Sequence, residues 1–168
     1  MFSRRAAFMP WVLCLGTLLT ASCGSSIDVK QEVEVTDASS GWYDAGIVEG
    51  KNKIVPSVSF RLRKKTEADL DGIALNVVVR HPPAPGTNVE EDWDEVFVQN
   101  TKFTEGSQTP LLTVRTQKGY TGDPPQTRLE IMKHSMFRDV RAHIFAKHSS
   151  TQWVEIGTID VQRQLIVR

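Results

Sequence analysis

Residues 73–80 of the chain read IALNVVVR, and this stretch decides the fold class. Its odd-numbered residues, from Ile73 to Val79, are all apolar, whereas Asn and Arg lie among the even-numbered ones. Alternate side chains of a β-strand point to the same face, so this pattern predicts a strand with one face in a hydrophobic core. Residues 140–147, which read VRAHIFAK, alternate in the same way and predict a second such strand.

The same alternation predicts further strands on either side of this pair. In chain order they are Ile27–Val35, Ile54–Arg63, Glu95–Gln99, Leu111–Thr116 and Trp153–Gln164. Gly157 shifts the alternation of the last segment, as a β-bulge would. Thr127 and Glu130 have the spacing of a capping box, which predicts a single short helix over Arg128–His134.

These segments predict an all-β domain of about seven strands with at most one short helix. No long helical segment separates the strands, which argues against a parallel βαβ fold. An antiparallel immunoglobulin-like β-sandwich over residues 27–168 fits best, with an eight-stranded closed barrel as the alternative. The predicted core consists of the inward-facing residues Val58, Phe60, Leu62, Leu75, Val77, Val79, Val140, Ala142, Ile144 and Ala146, completed by Trp153 or Val154.

The composition is that of one globular domain. The chain has 168 residues, of which 40% are hydrophobic, and its 20 basic and 20 acidic residues balance. A balanced charge argues against a broadly basic nucleic-acid-binding protein, so no nucleic-acid partner is expected. Two cysteines are too few for a disulfide scaffold.

The first 23 residues have the organisation of an export signal. Two arginines at positions 4 and 5 precede a largely apolar stretch that ends at Leu19. This stretch is too short for a transmembrane helix, which needs roughly 20 apolar residues, and is typical of a segment removed after export. The small residues TAS then lead directly to Cys23.

Residues 20–23 resemble the lipobox of bacterial lipoproteins, although this family more often has Leu at the position of Thr20. The resemblance covers only this N-terminal segment. It implies that residues 1–22 are a signal peptide, that Cys23 becomes acylated, and that residues 23–26 are a short tether to a membrane. At the next position the chain has Gly24, whereas many lipoproteins that stay at the inner membrane have Asp there. In this respect the chain resembles lipoproteins that are passed on to the outer membrane. The expected location is therefore the cell envelope, at the outer membrane and facing the periplasm.

Two alternatives remain open for this segment. It also fits an ordinary secretory signal that happens to end near a cysteine. The paired arginines leave the general and the twin-arginine export routes open.

Two aromatic residues in predicted loops are candidate binding residues. Trp93 lies in the loop 81–94, and Tyr120 lies in the loop 119–126. Exposed Trp and Tyr are common binding anchors, and loops on a rigid sandwich often carry function. The alternative is that both side chains cap the core. Trp42 and Trp153 are expected in the core or at its edge, because large aromatic side chains are mostly buried.

No motif in the sequence favours catalysis, a cofactor or a metal. The chain lacks a Gly-x-Ser-x-Gly turn, a phosphate-binding glycine loop and an H-E-x-x-H motif. The acidic residues of 88–95 are a source of oxygen ligands for calcium, but without the EF-hand spacing. The four histidines after the signal segment are expected at the surface.

Two hypotheses of function follow. In the first, the protein is a lipid-anchored, non-catalytic binding or accessory module whose partner is a protein or a glycan. In the second, it is a structural envelope lipoprotein that pairs through a sheet edge, with Ile27–Val35 as the expected edge strand.

Overall fold

The computed structural model describes residues 27–67, 69–70, 72–103 and 106–167. Their elements in chain order are α1 (Val29–Glu32), β1 (Val33–Val48), β2 (Lys51–Lys64), β3 (Ile73–His81), β4 (Glu91–Thr101), β5 (Leu112–Arg115), β6 (Tyr120–Gly122), α2 (Arg128–Lys133), β7 (Arg141–His148), β8 (Val154–Asp160) and β9 (Leu165–Ile166). Cys23 and the predicted signal peptide and tether lie outside the described residues.

The strands form two separate sheets. Sheet A has the order β5-β2-β1-β9, with β6 also paired to β2, and sheet B has the order β4-β3-β7-β8. All pairs are antiparallel except the short pair of β1 and β9. The predicted all-β sandwich is confirmed, and among the described residues no strand pair closes the two sheets into one barrel. The described residues contain nine strands and two short helices, against about seven and one expected.

The predicted core is confirmed almost completely. The ten residues predicted to face inward from β2, β3 and the β7 segment are all buried, and Trp42 of β1 is fully buried as expected. Trp153, expected in the core or at its edge, lies outside the core, since the residue is 38% exposed. It precedes β8 and lies over the outer face of sheet B, where Lys147 contacts its ring, while the neighbouring Val154 is half-buried.

The predicted strand Ile27–Val35 is wrong over its first part. Asp28 caps a helical turn there, because its side chain accepts a hydrogen bond from the backbone N–H of Lys30 at 3.1 Å. Val29 is buried within that turn, and β1 begins only at Val33. Residues 27–35 therefore do not form the expected edge strand.

The turn-forming residues DASSG of 37–41 lie inside β1. The pairing of β1 with β2 shifts register between Thr36 and Ser39, and Asp37 has a φ of 51°. This irregularity is a β-bulge, which absorbs the turn-forming residues without ending the strand.

Two other strands begin earlier or lie elsewhere than predicted. β4 starts at Glu91, which shortens the predicted loop 81–94, and β6 lies within the predicted loop 119–126.

The predicted helix is confirmed as α2, with its capping box of Thr127 and Glu130. The predicted bulge near Gly157 is also confirmed by a register shift in the pairing of β7 with β8.

The strand directions give the sandwich two distinct ends. The proximal end, where the chain enters the domain, contains residues 27–32, the connection 149–153 and the described residues 65–67, 69–70, 72, 102–103 and 106–108. The distal end contains the turn of residues 49–50 and the connections 82–90, 123–127 and 134–140.

Among the described residues, neither helix has the length or apolar character needed to cross a bilayer.

Candidate binding surface at the distal end

A β-bulge turns Trp93 towards the core. Val79 of β3 pairs with Asp94, and Arg80 pairs with Asp92, so Trp93 is the extra residue of β4. A bulge redirects the side chain of its extra residue, and here the indole packs against buried residues instead of pointing into solvent. The half-buried Trp93 thus belongs both to the surface and to the edge of the core.

Trp93 and Tyr120 belong to one aromatic cluster, formed by these two residues with Trp42, His81 and Phe137. The fully buried Trp42 lies at its centre, with ring centroids 6.1 Å from Trp93, 5.6 Å from Tyr120 and 4.6 Å from Phe137. The rings of Trp93 and Tyr120 are 5.5 Å apart, and His81 lies 5.1 Å from Trp93. The two predicted binding residues are therefore adjacent, although their loops are distant in sequence.

Tyr120 is held in place at its hydroxyl group and at its backbone. Its hydroxyl oxygen accepts a hydrogen bond from the backbone N–H of Arg138 at 3.0 Å, and its backbone pairs with Ile54 of β2. The preceding Gly119 lies so close to β2 that a Cβ there would come within 2.1 Å of the Ile54 carbonyl oxygen. Only glycine permits this close approach, so the local sequence holds the tyrosine ring beside Trp42.

Each of the two candidate residues also lines a surface depression. The depression at Trp93 has a volume of about 430 Å³, and its other lining residues are Val78, Asp92, Asp94, Glu95 and Lys118. The depression at Tyr120 has a volume of about 230 Å³ and is lined also by Thr121, Gln126, Ile131, His134, Met136 and Phe137. The first combines Trp93 with charged residues of both signs, and the second is more apolar, so the pair suits a partner with both apolar and polar groups.

Asp94 joins the Trp93 side of this surface to sheet A. Its Oδ2 accepts the backbone N–H groups of Gln117 and Lys118 at 2.9 and 2.8 Å. The Lys118 ammonium group donates in turn to the backbone carbonyl of Trp93 at 2.7 Å. These bonds position the edge of β4 against the segment that leads into β6, and so hold Trp93 and Tyr120 together.

The neighbouring carboxylates of the acidic segment pair with basic side chains, and Glu90 and Asp92 share Arg80. Asp92 pairs with Arg80 at 2.6 Å, and Glu91 pairs with Arg138 at 2.8 Å. The hydrogen bond and charge of Arg138 lower the pKa of Glu91 below its ordinary value of 4.5. Within the described part of the chain, no three Asp, Glu, His or Cys residues are grouped as metal ligands would be.

Two of the four histidines are buried, which corrects the expectation that all lie at the surface. His81 and His143 are each 6% exposed. His81 packs on Trp93, and its Nδ1 lies 3.1 Å from the backbone carbonyl oxygen of Asp139. The ring of His143 lies between two carboxylates, with Nδ1 3.3 Å from Glu155 and Nε2 2.9 Å from Glu90, the second without hydrogen-bond geometry.

A second exposed aromatic surface lies on the outer face of sheet B and was not predicted as a site. It consists of Phe97, Lys147 and Trp153, here called the proximal aromatic patch. Phe97 is 55% exposed, and its ring centroid lies 6.2 Å from that of Trp153. The exposure of Phe97 could have been predicted from the sequence. Phe97 alternates with Val96 and Val98 and therefore belongs to the solvent-facing side of β4.

The residues with predicted roles thus fall into three groups. The structure brings Trp93 and Tyr120 together at the distal end. It places Trp153 far from them on sheet B, and Cys23 lies outside the described residues. Comparison of the chain with family models, curated proteins and solved structures finds no match, so the functional inference depends on the residues of this chain alone.

Proposed function

We propose that the protein is a lipid-anchored, non-catalytic binding module of the bacterial cell envelope. Acylation of Cys23 would hold it on a membrane, and the distal surface with Trp93 and Tyr120 would contact a protein or glycan partner. The observation that carries this proposal is the position of the two candidate binding residues, which share the end of the sandwich opposite to the entry of the chain.

The dimensions of β1 support this arrangement. Tyr120 pairs with Ile54, which pairs with Asp44 of β1. At about 3.3 Å per residue, Asp44 lies roughly 35 Å along the strand from Val33. A partner that approaches Tyr120 would therefore meet the domain well away from a membrane that holds its N-terminal segment.

The chemistry of the distal surface also supports binding. Trp and Tyr bury large apolar areas while they retain polar groups at their edges, which makes them frequent energetic anchors of interfaces. The Tyr120 ring is fixed by its backbone pairing and by the hydrogen bond from Arg138, so binding would cost little side-chain entropy.

The proposed location is the outer membrane, with the domain in the periplasm. The support for it is Gly24, which follows the lipobox-like residues where lipoproteins retained at the inner membrane often have Asp. Export by the general or by the twin-arginine route is compatible with this location.

Substitution of Cys23 tests the anchor. Cys23→Ser should abolish acyl labelling and leave the protein as uncut precursor or release the domain to the soluble fraction, since the thiol is the acceptor of the lipid. Ser25→Ala is the matched control, because it changes the tether and leaves the lipobox-like residues intact. Unchanged acylation and membrane fractionation of the Cys23→Ser protein would contradict the proposal.

Cross-linking in intact cells tests the distal surface. We expect the full-length protein to capture a partner that the Tyr120→Ala variant loses while its membrane fractionation is unchanged. Leu111→Ala is the matched control, since Leu111 is exposed away from this surface. Equal capture by all three proteins would contradict a binding role for Tyr120.

The alternative function, a structural lipoprotein that pairs through a sheet edge, has one supporting observation. Among the residues that the structure describes, β4 pairs with β3 alone, which makes it an edge strand of sheet B. Exposed edge strands are templates for pairing with another chain. Cross-links between β4 residues of two copies, without a further partner, would favour this alternative over the binding module.

A further inference from the structure

The proximal aromatic patch has the composition of a membrane-interface contact. Trp153 and Phe97 are exposed next to each other, and the Lys147 ammonium group lies 4.8 Å from the centre of the Trp153 ring. Tryptophan is enriched at the headgroup level of bilayers, and lysine side chains reach from apolar surroundings into the polar headgroup layer. A groove of about 470 Å³ runs along the patch and is lined also by Ala74 and Gln99.

The patch lies next to the point where the chain enters the domain. Ile27 lines a surface pocket together with Gln152 and Val154, the two sequence neighbours of Trp153. Cys23 precedes Ile27 by four residues. Four residues span at most roughly 14 Å, so a lipid attached to Cys23 would keep the membrane surface within reach of Trp153.

The proximal end carries charges of both signs. Lys30 and Lys65 lie at the proximal end together with the acidic Asp28 and Glu32. Lys65 donates a hydrogen bond to the backbone carbonyl of Lys30, which holds the two lysines together beside the acids. With both signs present, burial of aromatic surface is the main attraction to lipid, and this attraction is screened little by salt.

We propose that Trp153 and Phe97 insert into the headgroup region of a phospholipid bilayer, beside the lipid on Cys23. This inference rests on the lipid anchor proposed above. An acyl anchor by itself leaves a domain free to tumble at the end of its tether, whereas a second contact fixes its orientation. The contact directs sheet B at its proximal end towards the membrane and leaves the distal surface accessible to a partner.

Quenching of tryptophan fluorescence by brominated lipids tests the contact. The mature acylated protein is reconstituted into vesicles of phosphatidylethanolamine and phosphatidylglycerol, with acyl chains that are either unlabelled or brominated near the headgroup. Vesicle flotation reports on the anchor, and the loss of tryptophan emission on bromination reports on the patch. Trp153→Phe is the test variant, and Trp93→Phe at the distal end is its matched control.

The expected result is that all three proteins float with the vesicles, and that bromination quenches the wild type and Trp93→Phe but not Trp153→Phe. The quenching should persist when phosphatidylglycerol is omitted or salt is raised. Proteins that float without quenching would overturn the membrane contact while they leave the anchor intact, and the patch would then be free for another partner. Equal quenching of Trp153→Phe would also overturn it, and a failure to float would overturn the anchor together with the inference built on it.

Discussion

The carboxylate of Asp94 accepts the backbone N–H of Lys118 at 2.8 Å, across the open side of the sandwich. Asp94 belongs to an edge strand of sheet B, and Lys118 leads into the strand that pairs with sheet A. The same carboxylate oxygen accepts the N–H of Gln117. One aspartate thus connects the two sheets next to the aromatic cluster.

Asp94→Ala should lower the free energy of unfolding by about 1–3 kcal/mol, because hydrogen bonds to a charged group are lost and two backbone donors must find other partners. Asp92→Ala is the matched control. Its carboxylate is largely exposed in an ion pair with Arg80, and such pairs contribute at most about 1 kcal/mol. Urea denaturation of both variants measures the difference, and an equal loss in the two would contradict the connecting role of Asp94.

Phe60→Ala should lower the free energy of unfolding by about 3–5 kcal/mol, because Phe60 is fully buried between the sheets and its truncation leaves a cavity. Phe97→Ala removes the same side chain from an exposed position of β4 and should cost much less. Chemical denaturation compares the two. A loss below about 1 kcal/mol for Phe60→Ala would mean that the register of β2 is wrong by one residue.

Trp93→Ala should destabilise the domain by about 2 kcal/mol or more, because it removes the ring that covers Trp42. Trp93→Phe retains an aromatic ring at this position and should lose less. Thermal melting of the two variants checks the expectation. If Trp93→Ala melted like the wild type, its ring would contribute nothing to the core.

Acidification should destabilise the domain through at least two carboxyls. The hydrogen bond from Arg138 lowers the pKa of Glu91, and the backbone hydrogen bond from Thr127 lowers that of Glu130, both from an ordinary 4.5. A carboxyl whose pKa is lower in the folded than in the unfolded state stabilises the fold at pH values above its unfolded-state pKa. This contribution is lost as the pH falls through the folded-state pKa.

The free energy of unfolding should therefore decrease as the pH falls below 4.5. Urea denaturation over a pH series measures it, and Glu130→Gln should show a shallower decrease because it no longer titrates. A free energy of unfolding that rises with acidification over this range would contradict the lowered pKa values of Glu91 and Glu130.

Thermal melts should not respond to reductant or to a chelator. The carboxylates of the acidic segment pair with basic side chains, such as Asp92 with Arg80 and Glu91 with Arg138. Melting curves with dithiothreitol or EDTA should superpose on the untreated curve. A decrease of several degrees with EDTA would instead support calcium binding in residues 88–95.

The inward faces of the core strands could be read from the sequence alone. The alternation of apolar residues in 73–80 and 140–147 places one face of β3 and of β7 inside, and this face is buried as predicted. Period-two burial is a local property of an extended chain, so it is readable without knowledge of the partner strand. The short helix α2 was predictable for the same reason, because its capping box is a contact within four successive residues.

Local alternation was misleading where a side chain or a bulge overrode it. Asp28 caps a helical turn over residues that alternate like a strand, and Trp93 turns inward only because β4 has one residue more than its partner. The bulge at Trp93 depends on how β4 pairs with β3, and β4 contains no glycine that would mark it, as Gly157 marks the bulge of β8.

The exposed aromatic surfaces depend on tertiary contacts. It brought Trp93 and Tyr120 into one cluster around Trp42, and it placed Trp153 beside Phe97 outside the core. These contacts join residues that are far apart in the chain. Their geometry follows from strand order and register, which are set by the packing of the whole domain and are not encoded in any short segment.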